Sequence, residues 1–145
     1  MVLSQSDINE LTKVLEESKV KQKEQTPEPK GLKKDVQLKK YQREGLTWLI
    51  WRESQPSSGG ILADDMGLGK TLSTISLIVH QKNQEKNVKY KHGTLISSNT
   101  TLIIAKKSIT HQWLEQITKF TEKGLLKTYI YESNGTTTRV RDPEL

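Results

Sequence analysis

The chain of 145 residues lacks cysteine, has a single phenylalanine and is only 32% hydrophobic. Without cysteine, neither a disulfide scaffold nor a cysteine zinc site can form. No apolar run approaches the ~20 residues that a membrane-spanning helix needs. The first residues, MVLSQSDINE, contain no apolar core of a signal peptide. These absences predict a soluble protein that works inside the cell and does not engage a membrane.

The apolar content is low for a globular domain, but it exceeds that of a wholly disordered chain. Leucine, isoleucine, valine and phenylalanine make up about a quarter of the residues, and wholesale disorder is typical below about 20%. We therefore expect one modest hydrophobic core that is diluted by polar stretches. The length leaves room for a single domain.

The formal net charge of +6 is concentrated in one part of the chain. Residues 81–110 contain six lysines and one glutamate, and most of this stretch has no apolar periodicity. Such a cluster can neutralise nucleic-acid phosphates, but it is also typical of a solvated insertion. We interpret residues 81–100 as a polar insertion, and the charge alone does not predict DNA binding.

Residues 1–30 are predicted to form a flexible N-terminal segment. Ser6 is expected to cap a short helix, on which Ile8, Leu11 and Leu15 recur at helical spacing. The charged, proline-containing stretch that follows has the composition of a linker.

Residues 31–145 alternate between helical and strand patterns, which predicts an α/β fold with a parallel sheet flanked by helices. The first helix places Tyr41, Trp48 and Arg52 on one face, which we expect to be buried. Ser108 is expected to cap the last helix. The predicted order is a helix over 38–53, a strand over 60–63, a helix over 71–80, a strand over 101–105, a helix over 109–120, a strand over 125–131 and a turn at Asn134 and Gly135.

The clearest chemical motif is GGILADDMGLGKT, in which the strand predicted over 60–63 leads into a loop that opens a predicted helix. A triphosphate requires backbone N–H groups that no side chain obstructs, and Gly67 and Gly69 provide them. Lys70 supplies a cation for the β- and γ-phosphates, and Thr71 supplies a hydroxyl for Mg²⁺. Because free N–H groups at a helix N-terminus favour an anion, the motif predicts a nucleotide phosphate site.

One residue departs from the usual phosphate-loop pattern, since Asp64 stands where that pattern has its first glycine. GGILADDMGLGKTL resembles instead the loop of the Swi/Snf-type ATPases, the helicase-like motors of chromatin remodelling, which place two acidic residues at Asp64 and Asp65. YQREGLTWL resembles the family's upstream segment, which implies that the Gln42 amide reads the adenine edge. The implied ATP contacts are Gln42, Asp64, Asp65, Met66, Gly67, Leu68, Gly69, Lys70, Thr71 and Leu72.

A second segment, TLIIAKKSITHQWLEQI, resembles the family motif whose loop faces the nucleic-acid backbone. Ser108, Gln112 and Trp113 are in register with it, whereas Lys106 replaces the usual proline. The resemblance implies that Lys106, Lys107 and Ser108 face nucleic acid. From composition alone, the two lysines are typical of solvated surface residues.

The resemblance covers residues 27–131 and is strongest to the lodestar and transcription-termination-factor branch. It implies a partial RecA-like fold, with residues 31–145 as an incomplete helicase ATP-binding lobe. In the family, hydrolysis uses an Asp-Glu pair on a later strand to hold Mg²⁺ and orient water. No such pair follows Thr71 in this chain. We therefore expect these residues to stop partway through the first lobe, before the second motor lobe and without a complete catalytic set.

Three hypotheses follow for the function. The first is ATP and Mg²⁺ binding as part of a nuclear, DNA-dependent motor that acts on duplex DNA or its bound complexes, in chromatin remodelling or transcription termination. The second is a truncated ATP-binding or interaction module that does not hydrolyse ATP. The third, an unrelated small phosphoryl-transfer enzyme, is disfavoured by the two flanking resemblances.

Overall fold

A computed structural model of the chain describes residues 4–18, 25–56, 58–84, 91–92, 95–96, 100–133 and 138–141. The described residues form helices α1 (Gln5–Ser18), α2 (Lys40–Glu53), α3 (Lys70–Asn83) and α4 (Lys107–Phe120) and strands β1 (Lys91–His92), β2 (Leu95–Ile96), β3 (Ile130–Ser133) and β4 (Thr138–Arg141). The strands β1 and β2 pair antiparallel, as do β3 and β4. None of the helices described here has the length and apolar character to span a membrane.

Three of the helices, together with two leucines that precede α2, build the hydrophobic core. Helix α2 packs against α3, and α3 packs against α4. The predicted helices at these positions are therefore confirmed, with slightly different ends. The buried core consists of Leu32, Leu38, Leu46, Ile75, Val79 and Ile117. Because α3 lies between its two neighbours, its buried face fixes how all three helices are arranged.

The predicted parallel sheet flanked by helices is wrong for the part of the chain that is described. Residues 60–63 and 101–105 form neither helix nor strand, and both strand pairs that do form are antiparallel. Ile61, Leu102 and Ile104 are 85%, 81% and 90% exposed. A β-branched apolar run becomes a strand only where a neighbouring strand accepts its backbone hydrogen bonds. Neither segment has such a neighbour among the described residues.

The last predicted strand is also shifted along the chain. The sequence predicts it over residues 125–131, whereas β3 spans Ile130–Ser133. Residues 123–124 form a turn and residues 125–126 a bend instead, and the Leu125 N–H donates to the Glu122 carbonyl at 3.2 Å. The predicted turn at Asn134 and Gly135 lies outside the described residues.

Both predicted helix caps are wrong by two residues. Helix α1 is capped by Ser4, whose hydroxyl accepts the Asp7 N–H at 3.2 Å and donates to the Asp7 carboxylate at 2.6 Å. This hydroxyl bond, together with one from the Ser4 N–H, holds the pKa of the Asp7 carboxyl below its usual value. Helix α4 has Lys106 at its N-cap without a side-chain cap bond, and Ser108 lies in its first turn. Each helix therefore has its N-cap two residues before the serine that the sequence suggests.

The predicted buried face of α2 is partly correct. Arg52 is buried, and its Nε donates to the Gly59 carbonyl at 2.8 Å. Trp48 is half-buried, whereas Tyr41 is exposed. Gln42 takes the inward position instead, because it meets the segment that leads into α3.

The residues ahead of α2 are held against the helices. We call residues 25–39 the N-terminal strap. The Thr26 N–H donates to the Thr47 hydroxyl of α2 at 2.8 Å. The Lys33 N–H donates to the Phe120 carbonyl at the end of α4 at 2.9 Å. The strap therefore crosses from α2 to α4 over the core.

Replacing Leu46 by alanine tests this packing. Leu46 is 0% exposed between α2 and α3, so Leu46→Ala is expected to lower the free energy of unfolding by about 3 kcal/mol. The matched control is Leu102→Ala, which is expected to change it by less than about 0.5 kcal/mol because this side chain is already in solvent. Chemical denaturation measures both values. A comparable loss at Leu102 would contradict the exposed placement of residues 101–105.

Candidate nucleotide-binding site

The glycine-containing loop predicted to cradle phosphate leads directly into α3. We call residues 64–71 the phosphate loop. Gly67 and Gly69 have φ angles of +85° and +84°, a region that residues with a Cβ adopt only at a cost. Gly69 is the N-cap of α3, and its carbonyl accepts the Ser73 N–H at 3.1 Å. The loop thus presents the N-terminus of a helix, where free N–H groups and the helix dipole favour an anion.

The side chain of Lys70 folds back over the phosphate loop. Its ammonium donates to the Asp64 carbonyl at 2.6 Å and to the Asp65 carbonyl at 2.9 Å. An ammonium carries three N–H groups, so one further donor can point to an anion. The positive charge of Lys70 therefore lies within the loop that is predicted to hold phosphate.

The side chain of Gln42 joins α2 to the phosphate loop. Its Oε1 accepts the Lys39 N–H at 2.9 Å, which is the reciprocal half of a capping box at the start of α2. Its Nε2 donates to the Leu68 carbonyl at 3.1 Å, across 26 residues of sequence. Gln42 is only 6% exposed, and a buried amide with both ends bonded has one defined orientation.

Gln42 also explains why a side chain is excluded at one of the two loop glycines. A Cβ at Gly69 would collide with the Nε2 atom of Gln42, whereas a Cβ at Gly67 would meet nothing within 4 Å. The sequence motif accounts for both glycines by their backbone freedom and contains no signal of this steric contact. The two residues meet only because α2 and α3 pack together.

The remaining predicted ATP contacts lie along the same loop. Asp64, Asp65 and Met66 are exposed, and Met66 is 94% exposed. Thr71 is half-buried in the first turn of α3, and Leu72 packs against the core. Gln42, the loop and Lys70 are therefore brought together, while their individual contacts with ATP stay predictions.

The residues predicted to face nucleic acid begin α4. Lys106 is the N-cap, and Lys107 and Ser108 form the first turn. All three are exposed, so their side chains are open to a ligand. Trp113, which is in register with the same family motif, is half-buried and packs against the core.

A separate cleft lies at the C-terminal ends of α2 and α3. Its lining includes Ile50, Glu53, His80 and Gln84, and none of the residues of the phosphate loop. Among the described residues, no group of three or more histidine or acidic side chains is arranged to hold a metal ion. We therefore centre the candidate site on the loop and not on this cleft.

The two loop glycines form a matched pair for testing the contact with Gln42. Gly67→Ala is expected to lower the free energy of unfolding by about 1 kcal/mol, the cost of the left-handed backbone. Gly69→Ala is expected to cost at least about 1 kcal/mol more, because the methyl group displaces a buried amide from its hydrogen bonds. In a Gln42→Ala background, this difference should disappear. Equal costs in the original chain would show that Gln42 does not occupy the space at Gly69.

Comparison with known proteins yields relatives along most of the chain. ATP-dependent helicase ULS1 of Saccharomyces cerevisiae is 37% identical over 101 residues, which cover 69% of this chain and 6% of the relative. ATP-dependent helicase rhp16 of Schizosaccharomyces pombe is 32% identical over 131 residues, covering 90% of this chain and 13% of the relative. Transcription termination factor 2 of Drosophila melanogaster is 32% identical over 137 residues, covering 77% of this chain and 13% of the relative. No solved structure matches.

The chain thus covers only 6% to 13% of the length of these relatives. Residues 41–144 match the SNF2-related domain. This range contains Gln42, the phosphate loop and the start of α4, which are the three places at which the sequence resembles helicase-like motors. The chain belongs to the SNF2-related domain family.

Proposed function

We propose that the chain binds ATP with Mg²⁺ through the phosphate loop, as the nucleotide-binding part of a DNA-dependent motor. The observation that carries the proposal is the loop geometry. Gly67 and Gly69 adopt left-handed conformations and lead into the N-terminus of α3, with the Lys70 ammonium folded over the loop. A curved backbone with a nearby cation at a helix N-terminus suits a polyphosphate.

Each loop residue has a defined part in this proposal. The loop N–H groups hold the phosphates, and the Lys70 ammonium exchanges its bonds with the Asp64 and Asp65 carbonyls for bonds with the β- and γ-phosphates. The Thr71 hydroxyl, in the first turn of α3, holds Mg²⁺. The ion, when bound, neutralises phosphate charge. The absence of a Cβ at Gly67 keeps the backbone open to the ligand.

Gln42 is proposed to recognise adenine. Its amide bonds to Lys39 and Leu68 leave one N–H and one carbonyl lone pair. This pair of groups complements the N7 acceptor and the N6 donor of adenine. Because the internal bonds fix the amide orientation, the free donor and acceptor are already set for the base.

Duplex DNA or its bound complexes are the proposed substrate, with the nucleus as the place of action. The relatives include proteins named transcription termination factor, chromatin-remodeling ATPase and DNA repair protein. In this chain, Lys106, Lys107 and Ser108 are exposed at the N-terminus of α4. Lysines, a hydroxyl and helix N–H groups are typical contacts to DNA phosphates.

A second candidate is an ATP-binding module that does not hydrolyse ATP. Residues 72–145 contain no Asp-Glu pair that could hold Mg²⁺ and orient water, so in this proposal residues 1–145 bind ATP without hydrolysing it. Turnover tests this second candidate. Phosphate release by the purified chain that is abolished in Lys70→Ala would rule out a module that does not hydrolyse ATP.

ATP binding itself is tested by removing the loop cation. Lys70→Ala is expected to weaken the binding of a fluorescent ATP analogue with Mg²⁺ by about 10- to 100-fold, because charge-assisted hydrogen bonds to phosphate are removed. Lys13→Ala on α1, where the lysine is exposed, serves as the control and should bind like the original chain. Equal affinity of the Lys70 and Lys13 variants would contradict the proposed site.

DNA binding at α4 is tested by the dependence of affinity on salt. The combined change of Lys106→Ala and Lys107→Ala is expected to weaken binding to a short duplex. It should also reduce the slope of log affinity against log salt by about 0.9 for each DNA phosphate that is no longer neutralised. The matched control is Lys119→Ala with Lys123→Ala, at and just beyond the opposite end of α4, which should leave the slope unchanged. The same slope for both pairs would mean that the first two lysines are solvated surface residues.

A further inference from the structure

A run of hydrogen bonds connects the N-terminal strap to the phosphate loop. The Glu28 carboxylate accepts the Leu38 N–H at 2.7 Å. The next residue, Lys39, donates its N–H to Gln42 Oε1 at 2.9 Å. Gln42 then donates to the Leu68 carbonyl of the loop at 3.1 Å. Three consecutive links thus lead from Glu28 to the phosphate loop.

The first link acts at Leu38, the residue that directly precedes the N-cap of α2. Leu38 is buried in the core, so its N–H requires an internal acceptor. A carboxylate is a strong one, and its negative charge near the start of α2 is favourable with the helix dipole. Because the Leu38 and Lys39 N–H groups are adjacent in the backbone, fixing one restricts the direction of the other. Lys39 in turn orients the Gln42 amide.

We infer that Glu28 is a positioning residue for nucleotide recognition, acting on Gln42 through the backbone of Leu38 and Lys39. The inference rests on the proposed function, in which the Gln42 amide reads adenine. Glu28 does not touch the nucleotide. It sets the backbone direction from which the Gln42 amide takes its orientation.

The other attachments of the strap separate this role from simple anchoring. Thr26 is bonded to Thr47, and Lys33 is bonded to Phe120. These contacts hold the strap on α2 and α4 without Glu28. Loss of the Glu28 carboxylate is therefore expected to change the local backbone before Gln42, while the strap stays in place.

Base selectivity is the property that this role would change. The Gln42 amide complements adenine, whereas guanine has an acceptor at the position of the adenine N6 donor. A misoriented amide therefore weakens ATP more than GTP. Glu28→Ala is expected to weaken ATP binding by about fivefold, which corresponds to the net free energy of one hydrogen bond. The ATP-over-GTP preference should fall by a similar factor.

The experiment measures ATP and GTP affinities of the full chain by competition with a fluorescent nucleotide. Glu28→Gln keeps an acceptor oxygen and should restore most of the affinity. Glu28→Asp keeps the charge but shortens the reach, so it should behave like the alanine variant. The matched control is Glu44→Ala, which removes another strap contact, from Gln25 at 3.4 Å, and should keep the original ATP-over-GTP preference.

The same measurement in a Gln42→Ala background decides the mechanism. Glu28→Ala should then cause no further loss of ATP affinity, because the amide through which it acts is absent. An equal loss in both backgrounds, or an equal weakening of ATP and GTP, would overturn the inference and make Glu28 a general anchor. If the alanine variant does not fold, the same comparison of ATP affinities in the two backgrounds is made with Glu28→Asp.

Failure of the inference can be told apart from failure of the proposed function. If the original chain binds ATP in a manner that requires Lys70, but Glu28→Ala and Glu28→Asp bind normally, only the role of Glu28 is wrong. If the original chain shows no ATP binding that depends on Lys70, the proposed function is wrong, and the inference falls with it.

Discussion

The hydrogen bonds of the buried Gln42 amide are the constraint on which the candidate site depends. They join the start of α2 to the Leu68 carbonyl of the phosphate loop. The same amide fills the space where a Cβ at Gly69 would lie. Helix α2, which is distant in sequence, therefore constrains the curvature of the loop and leaves no room for a side chain at Gly69. A loop held from outside in this way keeps its curvature without a ligand.

The hydrophobic core supplies the packing that makes this link possible. Leu46 of α2 and Ile75 and Val79 of α3 are fully buried in one cluster. Helix α3 carries the core residues along its length and the phosphate loop at its N-terminus. Its position against α2 therefore sets the distance between Gln42 and Gly69, so core packing and loop geometry are parts of one arrangement.

The sequence predicted the elements whose signals are local, and it failed where a structure depends on a distant partner. The apolar spacing of residues 71–80 and 109–120 predicted α3 and α4, and the pattern at Gly67, Gly69 and Lys70 predicted a loop at a helix N-terminus. The parallel sheet was wrong because an apolar run cannot pair by itself. The meeting of Gln42 with Gly69 could not be predicted, because it arises from helix packing and has no sequence signal.

Nuclear magnetic resonance of the Gln42 side-chain amide, assigned by comparison with Gln42→Ala, tests the central link most directly. In the ligand-free chain, one amide proton should exchange slowly with water, since it is buried and donated to the Leu68 carbonyl. Addition of ATP with Mg²⁺ should shift the resonance, and GTP should shift it less. An amide that exchanges as fast as a free glutamine side chain and ignores both nucleotides would contradict the link between α2, the phosphate loop and the base.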